Sequence, residues 1–126
     1  MTPGGVAGSA TLDPEAVRVL VELVGGDSVA LVEIVDAFLE EAPQRIAELR
    51  RGAATDDQAL AGRAAHTLKA NARTFGADKL ASLCEEIEVS ARAGDLGPAR
   101  GRIGEVDEAW VQVCEELTSL RKRTAG

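Results

Sequence analysis

The sequence predicts an all-α protein, an up-and-down antiparallel four-helix bundle with a short additional helix at its N-terminal side. Apolar residues recur every three or four positions in several long segments, which is the spacing of an amphipathic helix and not of a strand. Glycine, proline and aspartate separate these segments by connections of only a few residues, so neighbouring helices must run antiparallel. A chain of 126 residues is the usual length of one domain.

The first two helices are marked by the residues at which they start. Asp13 is a suitable N-cap and Pro14 occupies the first helical position, so a short helix should cover residues 14–24 and end at two glycines. A longer helix should follow over residues 28–51. Pro43 falls inside it and predicts a kink, because proline lacks a backbone donor and clashes with the preceding turn.

Three further helices complete the predicted bundle. They should cover residues 55–76, residues 78–93 and a last segment that starts near Pro98, where Gly101 and Gly104 favour fraying of the first turns. The last helix carries a bundle-type apolar seam: Ile103, Val106, Trp110, Val113, Leu117 and Leu120. The organisation expected is a flexible N-terminal tail over residues 1–11 and a helical bundle domain over residues 12–122.

Composition and charge exclude several functions. The net charge of −7 and the scarcity of aromatic residues, two Phe and one Trp without Tyr, argue against binding to nucleic acid. No apolar run is long enough to span a membrane, and no secretory signal is evident at the N-terminus. Cys84 and Cys114 lack metal or redox spacing and are interpreted as buried, reduced side chains. We therefore expect a cytoplasmic protein that is a monomer.

The only histidine, His66, is the residue on which any histidine chemistry must depend. With Leu60 set at zero and about 100° per residue, Leu60 and the apolar residues that lie between about 40° and 120° from it form the apolar stripe of the third helix. This stripe consists of Leu60, Ala64, Leu68, Ala72 and Phe75. His66 falls at about 240°, on the opposite face, and should be exposed.

The residues around His66 on its own helix are small or cationic. Gly62 and Ala70 lie four residues before and after it, so nothing bulky on the helix shields the imidazole. No Asp or Glu occurs over residues 62–77, which predicts a locally cationic patch that would suit a phosphoryl dianion. The cations of this patch are Arg63, Lys69 and Arg73. The alternative interpretation is an ordinary solvated histidine on a helix surface.

These residues form part of a longer motif. Residues 64–77 read AAHTLKANARTFGA and are followed by Leu80, Leu83, Cys84 and Glu88. Together with the upstream FLEEAP of residues 38–43, this pattern resembles the signature of histidine-containing phosphotransfer (Hpt) domains, over roughly residues 12–121 of the chain.

The resemblance implies a phosphorelay protein of two-component signalling, a phosphocarrier and not an enzyme. By position, His66 matches the phospho-accepting histidine and Lys69 the lysine that steadies the phosphoryl group. Ala70 matches a small residue, often Gly or Ser in the family, that leaves room for a docking partner. Gly76 matches the glycine of the following turn. The receiver-docking surface it implies comprises Gly62, Arg63, Ala70 and Arg73, of which Arg73 is not a diagnostic family position.

The implied partners are response-regulator receiver domains, with a hybrid sensor histidine kinase as a further candidate. The receiver would supply Mg²⁺, since the sequence shows no metal site or cofactor motif of its own. Glu85, Glu86 and Glu88 are interpreted as a solvated helix face with pairing roles.

Two other classes of function are separable from this one. A non-catalytic adaptor would bind receiver or kinase domains without carrying phosphate. A hydrolase or a self-phosphorylating kinase is disfavoured, because no nucleotide-binding loop and no group that would orient the imidazole are evident in the sequence.

Overall fold

The computed structural model describes residues 11–125, in which every regular element is a helix. Six helices follow one another: α1 Pro14–Leu23, α2 Ser28–Thr55, α3 Gln58–Thr74, α4 Asp78–Arg92, α5 Gly97–Arg100 and α6 Ile103–Ala125. Residues 1–10 of the tail predicted over residues 1–11 lie outside the described residues. Thr11, the last residue of that predicted tail, donates its backbone N–H to Glu116 Oε2 of α6 at 3.0 Å.

The four long helices close into a bundle. Helix α2 packs against α3 and α6, and α4 packs against the same two helices, so each long helix has two long neighbours. The predicted all-α bundle with a short additional helix is thus confirmed. Helix α1 lies against α3, and α5 packs on α4 and α2. Within residues 11–125, no helix combines the length and the apolar composition needed to cross a membrane.

Aspartates begin the first three helices. The carboxylates of Asp13 and Asp57 each accept one backbone N–H of the first turn at 3.0 Å, and Asp27 accepts two at 3.0 and 3.2 Å. These bonds satisfy amide groups that have no partner inside the helix. Helix α2 extends to Thr55, one turn beyond the predicted end near residue 51, because Gly52 and Ala53 are buried and continue its packing face.

The last predicted helix is in fact two. The chain forms the short helix α5, and α6 starts only at Ile103, so the sequence prediction of one fraying helix from Pro98 is wrong. The break follows from two anchors that hold α5 in place. Ala99 is buried in the core, and Arg100 donates from Nε to the carbonyl oxygen of Ala53 at the end of α2 at 2.8 Å. Gly101 lies between these anchors and α6.

The core is aliphatic except for three aromatic side chains. Phe38 stacks on Phe75 with ring centroids 5.4 Å apart and meets Trp110 edge-on at 5.3 Å. Trp110 is only partly buried, and Ala109 occupies the core beside it. On α3, Leu60 is likewise at the margin of the core, and the predicted apolar stripe is completed by two buried alanines, Ala61 and Ala65.

Pro43, where a kink is predicted, lies inside α2 and does not end this helix, which continues to Thr55.

Gly76 joins α1 to the turn between α3 and α4. Its φ of 68° lies in the left-handed region, which side chains disfavour. A Cβ at this position would lie 2.5 Å from the Cβ of Asp13 and 2.8 Å from that of Ala16. The Asp13 N–H also donates to the Gly76 carbonyl oxygen at 2.9 Å. Only glycine allows α1 to approach this turn so closely.

We predict that Gly76→Ala lowers the free energy of unfolding by about 2–4 kcal/mol, because backbone strain and a steric clash act together. Urea denaturation followed by circular dichroism measures this loss. Gly104→Ala is the matched control, because no atom lies within 4 Å of the added Cβ. It should be neutral or raise stability by up to about 1 kcal/mol, since alanine is the better helix former. Equal effects of the two substitutions would contradict the role given to Gly76.

Candidate functional site

His66 lies near the middle of α3, with its side chain pointing out of the bundle. Ala64, Ala65 and Leu68 of the same helix are buried and fix the rotation of α3 about its axis. The His66 side chain is 66% exposed, as its predicted angular position required. Ala70, one turn further along, is also exposed and adds no bulk next to the imidazole.

The predicted cationic patch around His66 is wrong, because α4 brings two carboxylates to it. Glu88 Oε2 lies 2.8 Å from His66 Nδ1, and Glu88 Oε1 lies 2.5 Å from Lys69 Nζ. Glu85 Oε1 also accepts from Lys69 Nζ, at 2.8 Å. The residues of α3 alone make the surroundings of His66 cationic. The two carboxylates come from the next helix, α4.

Burial separates the members of the acidic run on α4. The side chain of Glu88 is only 13% exposed and that of Lys69 11%, whereas Glu85 is 43% exposed. Glu86 points elsewhere and pairs with Arg102 at 3.0 Å. The interpretation of this run as a solvated face therefore fails for Glu88, although its pairing role is confirmed.

The pairing keeps both carboxyl groups ionised. Burial by itself raises the pKa of Glu88, but hydrogen bonds from Lys69 and His66 outweigh it, so the pKa lies below the usual range. The hydrogen bond to Lys69 likewise lowers the pKa of Glu85. In return, the hydrogen bonds to Glu85 and then Glu88 raise the pKa of the Lys69 ammonium. A partly buried carboxylate is stable here because a cation and an imidazole share it.

The contact with Glu88 selects one tautomer of the neutral imidazole. A carboxylate can only accept a hydrogen bond, so the ring proton of neutral His66 belongs on Nδ1. Nε2 then carries the lone pair, on a side chain that is largely exposed. Glu88 is thus the orienting group that is not evident from the sequence around His66, and the site presents one nucleophilic nitrogen.

A groove between α3 and α4 opens beside His66. Its floor is formed by small residues, and a Cβ on Gly62 would lie 3.3 Å from the Cβ of Ala91, so the two helices approach closely there. Arg63 and Arg92 line the groove from opposite helices and are exposed. Arg92 was not among the residues singled out from the sequence, because it lies 26 positions after His66 and in no recognisable motif.

The other predicted site residue, Arg73, lies on the opposite side of Lys69 from Arg63. It is exposed, and its charge contributes to the lowered pKa of Glu85. The structure therefore surrounds the inner cluster of His66, Lys69, Glu85 and Glu88 with exposed arginines. No three His, Cys, Asp or Glu side chains of residues 11–125 are placed to hold one metal ion.

The two cysteines do not contribute to the chemistry of this cluster. Cys84 lies one turn before Glu88 and is buried, which raises the pKa of its thiol to about 12. It is a free thiol, as is Cys114, which is only partly buried, contrary to the sequence interpretation.

Comparison with known proteins identifies the family. The Hpt domain family matches residues 33–123, which is well over half of the chain and includes the whole site. The chain belongs to the Hpt domain family. As an Hpt protein it is a histidine-containing phosphotransfer protein of a phosphorelay, a phosphocarrier. Hpt domains relay phosphate with receiver domains.

A solved structure supports the same assignment. The crystal structure of histidine-containing phosphotransfer protein B (HptB) from Pseudomonas aeruginosa PAO1 is similar to this Hpt domain, with a TM-score of 0.80 and 26% sequence identity. The match covers 90% of this chain and 96% of that chain. A search of curated proteins gives no match.

The lowered pKa of Glu88 predicts a pH-dependent contribution to stability. A carboxyl group whose pKa is depressed by folding stabilises the protein above its unfolded pKa, about 4.3, and loses this effect as the pH falls through the folded value. Wild type should therefore be more stable than Glu88→Gln at pH 7, and the difference should decline below about pH 4. Urea denaturation at pH 7, 5 and 3 measures it.

The control for this experiment is Glu86→Gln, which removes a charge from the same helix without touching Lys69 or His66. It should change stability little at any of the three pH values, since exposed ion pairs contribute little. A difference between wild type and Glu88→Gln that is undiminished at pH 3 would show that the charge of Glu88 does not stabilise the fold.

Proposed function

We propose that His66 is the phosphoryl acceptor of this Hpt domain and exchanges the group with an aspartate of response-regulator receiver domains. The observation that carries the proposal is the 2.8 Å contact between His66 Nδ1 and Glu88 Oε2 on a side chain that is 66% exposed. One ring nitrogen is thereby occupied, and the other is available to a partner. His66 is also the only histidine of the chain.

The chemistry is an in-line displacement. Nε2 of neutral His66 attacks the phosphorus of an aspartyl phosphate, the P–N bond forms, and the aspartate carboxylate leaves with the electrons of the P–O bond. Such a transfer depends on position and charge stabilisation more than on covalent catalysis by the protein. We assign the provision of Mg²⁺ to the receiver.

Lys69 is the group on this chain that we assign to the phosphoryl oxygens. Its Nζ is bound by Glu85 and Glu88 before transfer, and Glu88 also contacts the imidazole. An ammonium group has three donors, so Lys69 can keep Glu88 and direct another proton towards a phosphoryl oxygen. The exposed carboxylate of Glu85 is the partner that Lys69 can give up most easily, because water replaces the contact.

The receiver-docking surface surrounds His66 on both sides. Gly62 and Ala70 leave the approach open, and Arg63 and Arg73 are exposed cations that can pair with an acidic partner. Arg92 extends this surface onto α4 through the groove. We propose that the protein acts as a cytoplasmic monomer on receivers, with a hybrid sensor histidine kinase as a further partner.

Phosphotransfer from phosphorylated receivers tests the acceptor directly. When a panel of labelled receiver domains from the same genome is mixed with the protein, wild type should acquire label and His66→Ala none. The label should be acid-labile and stable in base, as expected of a phosphoramidate. Circular dichroism should show equal helicity, because His66 is exposed and makes no core contact. Label on His66→Ala would overturn the assignment.

His66→Gln separates phosphotransfer from simple adaptor binding. Receiver affinity, measured by calorimetry, should persist in this variant while transfer is lost, because the docking surface is intact.

Bulk at Ala70 tests the docking surface independently of the chemistry. Ala70→Leu should slow transfer from a phosphorylated receiver by at least about tenfold, since a clash of about 1.4 kcal/mol is enough for that change. Phosphorylation by the small donor phosphoramidate should be unaffected. The matched control is Ala47→Leu, on an exposed position of α2. Equal transfer rates in both variants would remove Ala70 from the docking surface.

A further inference from the structure

We propose that Glu85 competes with the phosphoryl group for Lys69, and that Arg73 receives the Glu85 carboxylate when the phosphoryl group displaces it. This inference rests on the proposed function of His66 as acceptor. It assigns Glu85 and Arg73 as positioning residues that act through Lys69. Glu85 weakens the hold of the site on the phosphoryl group, and Arg73 limits that weakening.

The two carboxylates that hold the ammonium group of Lys69 differ in how firmly they are fixed. Glu88 is 13% exposed, and its second oxygen contacts His66, so it has two partners in the site. Glu85 is 43% exposed, and its side chain makes no other hydrogen bond within residues 11–125. Of the two, Glu85 is therefore the partner that a phosphoryl oxygen displaces.

Displacement of Glu85 follows from the charges that would meet at Lys69. The ammonium group has a donor for each of three anions, but two carboxylates and a phosphoryl group around one cation repel one another. The most exposed anion leaves at the least cost, because water solvates it. The negative charge of Glu85 then remains near the phosphoryl dianion and opposes phosphorylation of His66.

Arg73 is placed to receive the displaced carboxylate. It lies on α3 one turn after Lys69, so the two side chains share a face of the helix. It is exposed and forms no salt bridge within residues 11–125. The side chains of Arg73 and Glu85 are long and reach solvent, so they can rotate towards each other without disturbing the core.

The other exposed arginines of the site are not in the same relation to Glu85. Arg63 and Arg92 line the groove beside His66, whereas Arg73 lies on the opposite side of Lys69 from Arg63. Arg73 is also the arginine whose charge contributes to the lowered pKa of Glu85. The exchange of partners at Lys69 therefore involves Arg73 and not the arginines of the groove.

The experiment measures the equilibrium of phosphoryl transfer with a receiver that labels wild type. The second-order rate constants in the two directions are determined by rapid quench, and their ratio is the equilibrium constant between the free proteins, which does not depend on docking affinity. Glu85→Gln should shift this constant about threefold to tenfold towards phospho-His66, because one opposing charge is removed. Glu85→Asp, which keeps the charge, should stay closer to wild type.

A double variant tests the part assigned to Arg73. Arg73→Gln should shift the same constant about threefold away from phospho-His66, because the displaced carboxylate stays unpaired. In the Glu85→Gln background, Arg73→Gln should have little effect, since its partner is absent. An equal effect in both backgrounds would show that Arg73 attracts the phosphoryl group directly and would remove it from the exchange.

The matched control is Glu86→Gln, which removes the same charge from the adjacent position of α4, where the side chain pairs with Arg102. Its equilibrium constant should stay within about a factor of two of wild type, since water and salt screen a charge on that face. An unchanged constant in Glu85→Gln, or an equal shift in Glu86→Gln, would overturn the role of Glu85 while leaving His66 as the acceptor.

Phosphoramidate provides the same comparison without a receiver. Phosphorylation by this donor, followed by ³¹P NMR, should be about threefold faster in Glu85→Gln than in wild type, because Lys69 is then free of one competing anion. Equal rates would contradict the competition. Failure of His66 to accept a phosphoryl group from phosphoramidate and from phosphorylated receivers would overturn the proposed function itself, and this inference with it.

Discussion

The carboxylate of Glu88, shared between the imidazole of His66 and the ammonium of Lys69, is the interaction on which the site depends. One oxygen is 2.8 Å from the ring and the other 2.5 Å from Nζ, so a single side chain of α4 orients two side chains of α3. Burial of a carboxylate is unfavourable unless it is paired. Lys69 provides that pairing, and the imidazole completes it. Glu88 therefore holds both His66 and Lys69 in place, and each of these two side chains binds one of its oxygens.

Close packing of α3 on α4 makes this sharing possible. A carboxylate on one helix reaches an imidazole on the next only if the helix axes are near one another, and small residues at the interface allow this. A Cβ on Gly62 would make a tight contact of 3.3 Å with the Cβ of Ala91, and Ala61, Ala65 and Ala72 are buried along α3. Gly76 then turns the chain directly into α4 while accepting α1 against it. The abundance of small residues in this sequence thus has a structural purpose at the site.

The sequence predicted the parts of this structure that depend on local order. Aspartates and prolines at helix starts placed α1 and α2, and helical periodicity placed His66 on the exposed face of α3, because both effects act within a few residues. It could not predict that α5 separates from α6, since that break depends on Arg100 reaching the end of α2, 47 positions earlier. For the same reason, the patch around His66 was expected to be cationic. Glu88 was present in the motif, but nothing local indicates that its side chain turns back to the imidazole.

The carboxylates beside His66 determine how strongly the site would hold a phosphoryl group. Two carboxylates and one ammonium leave the inner cluster with an excess of negative charge, although the exposed arginines around it are positive. On the proposed function, a phosphoryl dianion at Nε2 would be repelled by the inner cluster and attracted by the outer cations. Exposed cations are screened by salt and are available to an acidic partner, whereas the Glu88 carboxylate acts at short range and is only 13% exposed. Repulsion by the inner carboxylates, opposed only by attraction to the exposed arginines, would keep the phosphoryl group from being bound too stably. A group that is easily gained and easily lost is what a carrier between two aspartates requires.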